Sequence, residues 1–368
     1  MNSSAYIKTQ LPIDPGALSK KTPNLALVAQ DEKKPSPVEP KTLYIIATGG
    51  TIAGSAASAV SATYQAGKLN VNDLIASIPD LKKFDDIKAL DLFHIDSSDI
   101  TNEHWLTLAK TVNDLLQKPD VKGVVITHGT DTLEETAYFL DLVIKSNKPV
   151  VLVGSMRPAT SLSADGPLNL FNALAVANSS KSIGKGVLVV MNDQIFDGRD
   201  VTKTHTSQIN TFAAPNSGSI GTVNFGEVEF NKQVLRKHTV DTPFDVSNLK
   251  ALPYVEIVPE YAASSGKLLQ AAIQLKPDGI VIAGTGDGNL SSRDKALIRL
   301  AREQGIQIIR SSRTGSGKVS EDNVDHLDSE IGLIAGDNLN PQKARILLML
   351  SLTNTKKVPE IRQHFRIF

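Results

Sequence analysis

Leu43-Tyr44-Ile45-Ile46-Ala47-Thr48-Gly49-Gly50-Thr51-Ile52-Ala53-Gly54 is an unbroken apolar run that empties into a turn of glycine and threonine. A second segment, Val124-Val125-Ile126 followed by Thr127-His128-Gly129-Thr130-Asp131-Thr132, repeats the pattern. Runs of this kind are the mark of strands buried on both faces of a parallel sheet. In open α/β sheets, ligands bind beyond the carboxyl ends of such strands. Each turn therefore places a threonine hydroxyl where a substrate would sit, with glycines permitting close backbone approach. Two hydroxyls of nucleophile type facing one crevice point to a hydrolase.

Composition removes several classes. Lys plus Arg equals Asp plus Glu at 39 each, so the basic footprint of a nucleic-acid binder is missing. The chain has no cysteine, which excludes disulfides, thiolate metal sites and a cysteine nucleophile. Its 7 histidines show no metal-ligand spacing, so neither a metal nor another cofactor is expected. No stretch approaches the ~18 apolar residues of a membrane span. At 368 residues, 41% of them hydrophobic, there is enough chain for two cores.

Residues 1–40 read as a flexible leader, with Lys20-Lys21, Lys33-Lys34 and the proline-spaced Pro35 to Pro40. They hold no apolar run of ~7–15 residues to serve as a signal core. From Lys41 strand and helix patterns alternate, predicting a parallel sheet with helices on both faces. Strands are expected at Leu43–Ala47, Val124–Thr127, Val150–Gly154 and Val187–Met191. Thr101 is placed to cap a helix running to Leu116, and Thr132 with Glu135 has the spacing of a capping box. That box would put a helix N-terminus directly behind Thr130 and Asp131.

Residues 41–231 form the expected N-terminal α/β domain, ending in an antiparallel excursion that includes Gly226 to Phe230. A linker over 232–252 leads to a C-terminal α/β domain, 253–368. Its strands are predicted at Val255–Val258, Ile280–Ala283, Ile306–Arg310 and Gly332–Ile334. Ser292 and Gly305 should bound one helix, and Asn340-Pro341 should open the last long one.

Taken singly, the candidate residues are unremarkable. Thr51 and Thr130 could be helix caps, Lys203 a solvated loop lysine, Ser97 a cap, Tyr64 an exposed loop tyrosine and His128 a turn support. In combination and order they resemble the bacterial type II L-asparaginases and the related glutaminase-asparaginases, from about Leu43 to the C-terminus. The segments carrying the resemblance are Ala47 to Gly54, Thr127 to Phe139, Gly154-Ser155-Met156-Arg157-Pro158, Ser163-Ala164-Asp165-Gly166 and Asp197 to Lys203.

The resemblance implies a larger N-terminal parallel-sheet, flavodoxin-like domain and a smaller C-terminal α/β domain. It implies a homotetramer with active sites shared between subunits, and L-asparagine or L-glutamine as substrate. Thr51 matches the nucleophile and Tyr64 its partner on a loop of small residues, Ser55 to Gly67. Thr130, Asp131 and Lys203 match a second catalytic constellation. Ser97, with the backbone around Asp96, matches the site for the substrate α-carboxylate, and Asp131 receives the α-ammonium. Gly50 belongs to the oxyanion turn.

Three positions depart from the family pattern. Ser98 stands where many relatives carry glutamine or glutamate. Asp287, in Gly284 to Asn289, replaces an asparagine supplied by the neighbouring subunit. The intersubunit glutamate has Asp325 as its best counterpart by spacing, with Glu321 and Asp322 as rivals.

A threonine hydroxyl needs a base or a proton relay to attack an amide. Lys203, paired with Asp131, is expected to relay a proton through Thr130. Amides of the Gly50-Thr51 turn and of Thr130 would hold the oxyanion. Asparagine is expected to be preferred; glutamine as main substrate, or a non-catalytic acidic amino-acid sensor, are the alternatives. Type II relatives are usually exported, so the resemblance suggests the periplasm, whereas residues 1–40 show no signal core; the sequence alone does not choose a compartment.

Overall fold

The computed structural model describes residues 39–50, 52, 54–56, 64–65, 75–76, 78, 81–84, 86–322 and 328–368. The expected leader lies outside them except for residues 39 and 40. In the N-terminal half the strands are β1 (Thr42–Gly49), β2 (Ser55–Ala56), β3 (Tyr64–Gln65), β4 (Asp86–Ile95), β5 (Val121–Thr127) and β6 (Val150–Val153). They continue with β7 (Val187–Met191), β8 (Gln194–Asp197), β9 (Thr202–Lys203), β10 (Phe212–Ala213), β11 (Gly221–Asn224) and β12 (Glu227–Phe230). Helices α1 (Asn102–Leu116), α2 (Leu133–Val143) and α3 (Gly166–Asn178) lie between them.

β1 is central because it buries both faces. Leu43, Ile45 and Ala47 join Leu170, Ala173 and Leu174 of α3 in one core, whereas Ile46 joins Trp105, Leu108 and Phe139 of α1 and α2 in another. The period of two along the strand thus sorts its side chains between two helical layers. The sheet has eight strands in the order β12-β11-β8-β7-β6-β5-β1-β4.

This sheet is mixed: its parallel part continues into the expected antiparallel excursion, which already begins at β8. β4, β1, β5, β6 and β7 run parallel, while β8, β11 and β12 are antiparallel. The reason is local. Asn192 and Asp193, at φ +49° and +61°, make a two-residue hairpin between β7 and β8, too short for a parallel crossover. Phe225 and Gly226, at +46° and +89°, do the same between β11 and β12.

The C-terminal half carries a parallel sheet of β13 (Val255–Pro259), β14 (Gly279–Gly284), β15 (Gln307–Ser312) and β16 (Ile334–Ala335), in that spatial order. Its helices are α4 (Lys267–Gln274), α5 (Lys295–Glu303), α6 (Asp328–Ile331), α7 (Pro341–Asn354) and α8 (Val358–Ile367). The cap position of α5 is Asp294 rather than Ser292, and its side chain makes no capping bond. Gly305, at φ +83°, follows the end of α5 as expected. Asn340 accepts the Lys343 amide at 2.9 Å and Pro341 opens α7.

α7 is apolar around most of its girth because it packs on α2 on one side and on β13, β14 and β15 on another. One hydrophobic cluster consequently runs from Trp105 and Phe139 to Val281, Ile309 and Leu347. The two sheets share a core across α7.

Candidate active site

Adjacent strands bring three turns together. β1 pairs with β4 at Gly49–Ile95 and with β5 at Ala47–Thr127, so the residues just beyond their carboxyl ends are neighbours. Gly50 has φ +84°, and a Cβ there would lie 2.3 Å from the Gly129 nitrogen. A Cβ on Gly129 would in turn lie 2.6 Å from the Ser97 hydroxyl oxygen. The turns of Gly50, Gly129 and Ser97 are thus stacked, and glycine is required at the two closest approaches. Thr48 Oγ1 donates to the Thr127 carbonyl at 2.8 Å, and Thr132 Oγ1 to the Ser97 carbonyl at 2.7 Å.

Two expectations are corrected here. The Gly50 amide donates to the Ile95 carbonyl at 3.2 Å, so it is committed to the fold and not open to an oxyanion. The capping box at Thr132 does not form, because its hydroxyl is spent on Ser97. Glu135, the intended partner, instead lines a cavity of about 360 Å³ with Ser97, Ser98, Trp105 and Arg345. Burial, reinforced by the neighbouring Glu134 charge, raises its carboxyl to about 7.

His128 is completely buried and braces the second turn. Its Nδ1 lies 2.7 Å from the Gly129 carbonyl, which can only accept, so Nδ1 carries the proton. Trp105 Nε1 donates to Thr136 Oγ1 at 2.9 Å, which leaves the Thr136 hydroxyl to donate to His128 Nε2, also at 2.9 Å. Burial drives the imidazole down to about 4 against the opposing pull of the Gly129 carbonyl. His128 is a neutral structural residue.

Beyond this brace, the antiparallel pair β9–β10 presents Lys203. Lys203 Nζ donates to Thr130 Oγ1 at 2.9 Å and to Asp131 Oδ1 at 2.5 Å. The lysine side chain is 15% exposed, whereas that of Asp131 is 64% exposed, leaving the carboxylate open to a ligand. Hydroxyl, ammonium and carboxylate in direct contact can pass a proton and hold a charged amine. Asp96 Oδ1 accepts the Ser98 amide at 3.0 Å and its hydroxyl at 2.9 Å, fixing the short helical turn over Ser97–Asp99.

Thr51, Asp325 and the Tyr64 side chain lie outside the described residues; the Tyr64 backbone pairs with Ala56. Asp287 belongs to the turn after β14, where its Oδ1 accepts the Ser320 amide at 2.7 Å. Of the rivals to Asp325, Glu321 pairs with Arg366 and Asp322 accepts from Ser329.

Sequence reasoning missed the residues behind these groups. Arg310 is wholly buried and spends all its donors. Its Nε and one terminal nitrogen bind Asp328 at 2.7 and 2.6 Å, and its remaining bonds reach the carbonyls of Asp287, Gly288 and Ser320. Lys343, 2% exposed, donates to the carbonyls of Gly198, Arg199 and Val201. A lysine beside the apolar run Ile346 to Leu350 was the available signal for it.

The asparaginase N-terminal family model matches residues 42–236, and the glutaminase/asparaginase C-terminal model matches residues 254–365. The chain belongs to the asparaginase family. It is 49% identical to L-asparaginase 2 of Escherichia coli over 88% of this chain and 92% of that one. It is 44% identical to a glutaminase-asparaginase of Pseudomonas fluorescens biotype A, over 95% and 97%. The crystal structure of a probable cytoplasmic L-asparaginase from Campylobacter jejuni superposes with a TM-score of 0.86 at 42% identity, covering 89% of this chain and all of that one.

Proposed function

We propose that this asparaginase hydrolyses the side-chain amide of L-asparagine to L-aspartate and ammonia through an acyl-threonine intermediate, with L-glutamine as a secondary substrate. One observation carries the reading: Lys203 Nζ contacts both Thr130 Oγ1 and Asp131, and the turn between them and β5 is stacked on Gly50, the residue that precedes Thr51 in sequence.

In the proposed reaction the Thr51 oxygen attacks the amide carbon, and its proton passes toward the leaving nitrogen through Thr130 and Lys203. The carbon–nitrogen bond breaks, ammonia departs, and water cleaves the resulting ester. With the Gly50 amide occupied, the oxyanion falls to the amides of Thr51 and Thr130. Asp131 anchors the α-ammonium; Ser97, with Asp96 and Ser98 beside it, anchors the α-carboxylate. Tyr64 partners Thr51.

The chain is read as a catalytic domain over 41–231, a linker over 232–252 and a C-terminal domain over 253–368. We assign it to a homotetramer in which Asp287 and Asp325 serve the neighbouring subunit's site. Ammonia release from both amides tests the reading. Asparagine should give the higher kcat/KM, and Thr51→Ala should abolish turnover of both; turnover surviving in that variant would refute the nucleophile. A single methylene separates the two amides, so discrimination of ~10–200-fold is the expected range. Light scattering should return four chains.

A further inference from the structure

Glu134 lies four residues beyond Thr130, in the first turn of α2, with its side chain buried. Among the described residues, its hydrogen bonds all come from outside that helix. Oε2 accepts the Thr202 hydroxyl at 2.6 Å and the Lys203 backbone amide at 2.5 Å, and Oε1 accepts Asn340 Nδ2 at 2.8 Å. No lysine or arginine head group pairs with it among the described residues. A buried carboxylate held by neutral donors is costly unless its geometry is well satisfied. Here it spans the two halves of the proposed proton path.

We infer that Glu134 is a positioning residue that locks the Lys203 ammonium onto Thr130, with Asn340, the N-cap of α7, as the anchor of the lock. The argument is one of degrees of freedom. Thr130 is joined to Glu134 by one turn of chain, and Lys203 is joined to Glu134 through its own backbone amide. The lysine Cα is thereby fixed, and only its side-chain torsions remain to place Nζ. Asn340 cannot turn its amide over, because its oxygen already accepts the Lys343 amide at 2.9 Å. The same helix turn holds the preceding loop, since Lys343 Nζ binds the carbonyls of Gly198, Arg199 and Val201. The C-terminal half of the chain thus sets the position of a group that works in the N-terminal half.

This inference rests on the proton-relay reading of Lys203, and the experiment separates the two. Steady-state ammonia release and thermal melting are measured on the wild type, Lys203→Met, Glu134→Gln, Asn340→Asp and the Glu134→Gln/Asn340→Asp double variant. Glutamine at 134 can still accept from Thr202 and Lys203, but its amide then meets the Asn340 amide donor to donor. Adding Asn340→Asp restores a donor–acceptor match, and the new carboxylate still caps α7. Asn340→Asp alone sets carboxylate against carboxylate.

An error of ~1 Å in placing a catalytic group costs on the order of 100-fold, so Glu134→Gln should lower kcat roughly 10–100-fold, with KM within about threefold. The double variant should recover kcat to within about threefold of wild type, a non-additivity expected only of directly coupled groups. Glu134→Gln with wild-type kcat and a lowered melting temperature would overturn the inference, as would a double variant no better than the singles. If Glu134→Gln does not fold, the double variant decides alone: near-wild-type kcat supports the lock, and a loss above about tenfold refutes it. Lys203→Met inactive beside an unimpaired Glu134→Gln sinks the lock only. Lys203→Met with full activity sinks both readings.

Discussion

Two ammonium groups hold the stretch Gly198–Lys203, and they are wired in opposite ways. Lys203 faces a hydroxyl and a carboxylate with part of its side chain open to solvent. Lys343 is buried against three carbonyls, with the Tyr138 ring 5.8 Å away. A carbonyl accepts a hydrogen bond but is no practical proton acceptor, so the second lysine can only fix backbone. A hydroxyl can take part in proton transfer, so the first can do chemistry. Burial lowers the Lys343 pKa, with Glu134, Asp197 and Asp200 pulling the other way. Residue type alone does not separate these roles; the acceptor does.

If that contrast holds, the two lysines should fail differently. Lys203→Met should lower kcat/KM by about 10²–10⁴, the range for losing a proton-transfer group. Its unfolding free energy should stay within about 1 kcal/mol of wild type in urea titrations. Lys343→Met should reverse the pattern, because three carbonyls lose their donor. Unfolding should then be easier by roughly 3–5 kcal/mol, with kcat of the folded fraction reduced less than tenfold.

A third nitrogen at the site extends the contrast to an uncharged group. His128 is hemmed in by a carbonyl and a hydroxyl, and its pKa is lowered to about 4. The fold therefore favours the neutral ring. This contribution is complete above the ordinary value of ~6.5 and is lost as pH falls from there toward about 4. Between pH 7.5 and pH 5 the wild type should lose about 2 kcal/mol more than His128→Gln, at ~1.36 kcal/mol per unit. Equal slopes would show that the histidine carries charge in the folded state. The smallest effect is expected from Thr132→Val, which removes one hydrogen bond to the Ser97 carbonyl. That should cost about 1 kcal/mol and raise KM a few-fold without changing kcat.

Much of this could be read beforehand where one strand decides its own environment. β1 and β5 are apolar on both faces, and the turns after them carry the glycines that their contact demands. β4 is hard to read from sequence because it is an edge strand, pairing among the described residues with β1 alone, and its Lys88, Asp91 and His94 break the apolar run. The Thr132–Glu135 spacing carries a genuine capping signal, but no local pattern reveals that the Ser97 carbonyl reaches the hydroxyl first. Glu134 was hidden for a related reason. An acidic residue in a helix's first turn is ordinary, and its partners lie 68 to 206 positions away. Asp294 rather than Ser292 stands at the start of α5, a shift within the usual uncertainty of helix ends.

The Arg310 guanidinium makes the carboxyl end of the smaller sheet a single mechanical part. The β14 turn, the backbone at Ser320 and α6 all terminate on one planar group whose donors are used up. Exchanging one of these loops for that of a relative would strand donors or acceptors contributed by the others. Chimeras at this end of the molecule must accordingly be cut outside residues 284–328, carrying the arginine, its aspartate and every loop between them as one cassette.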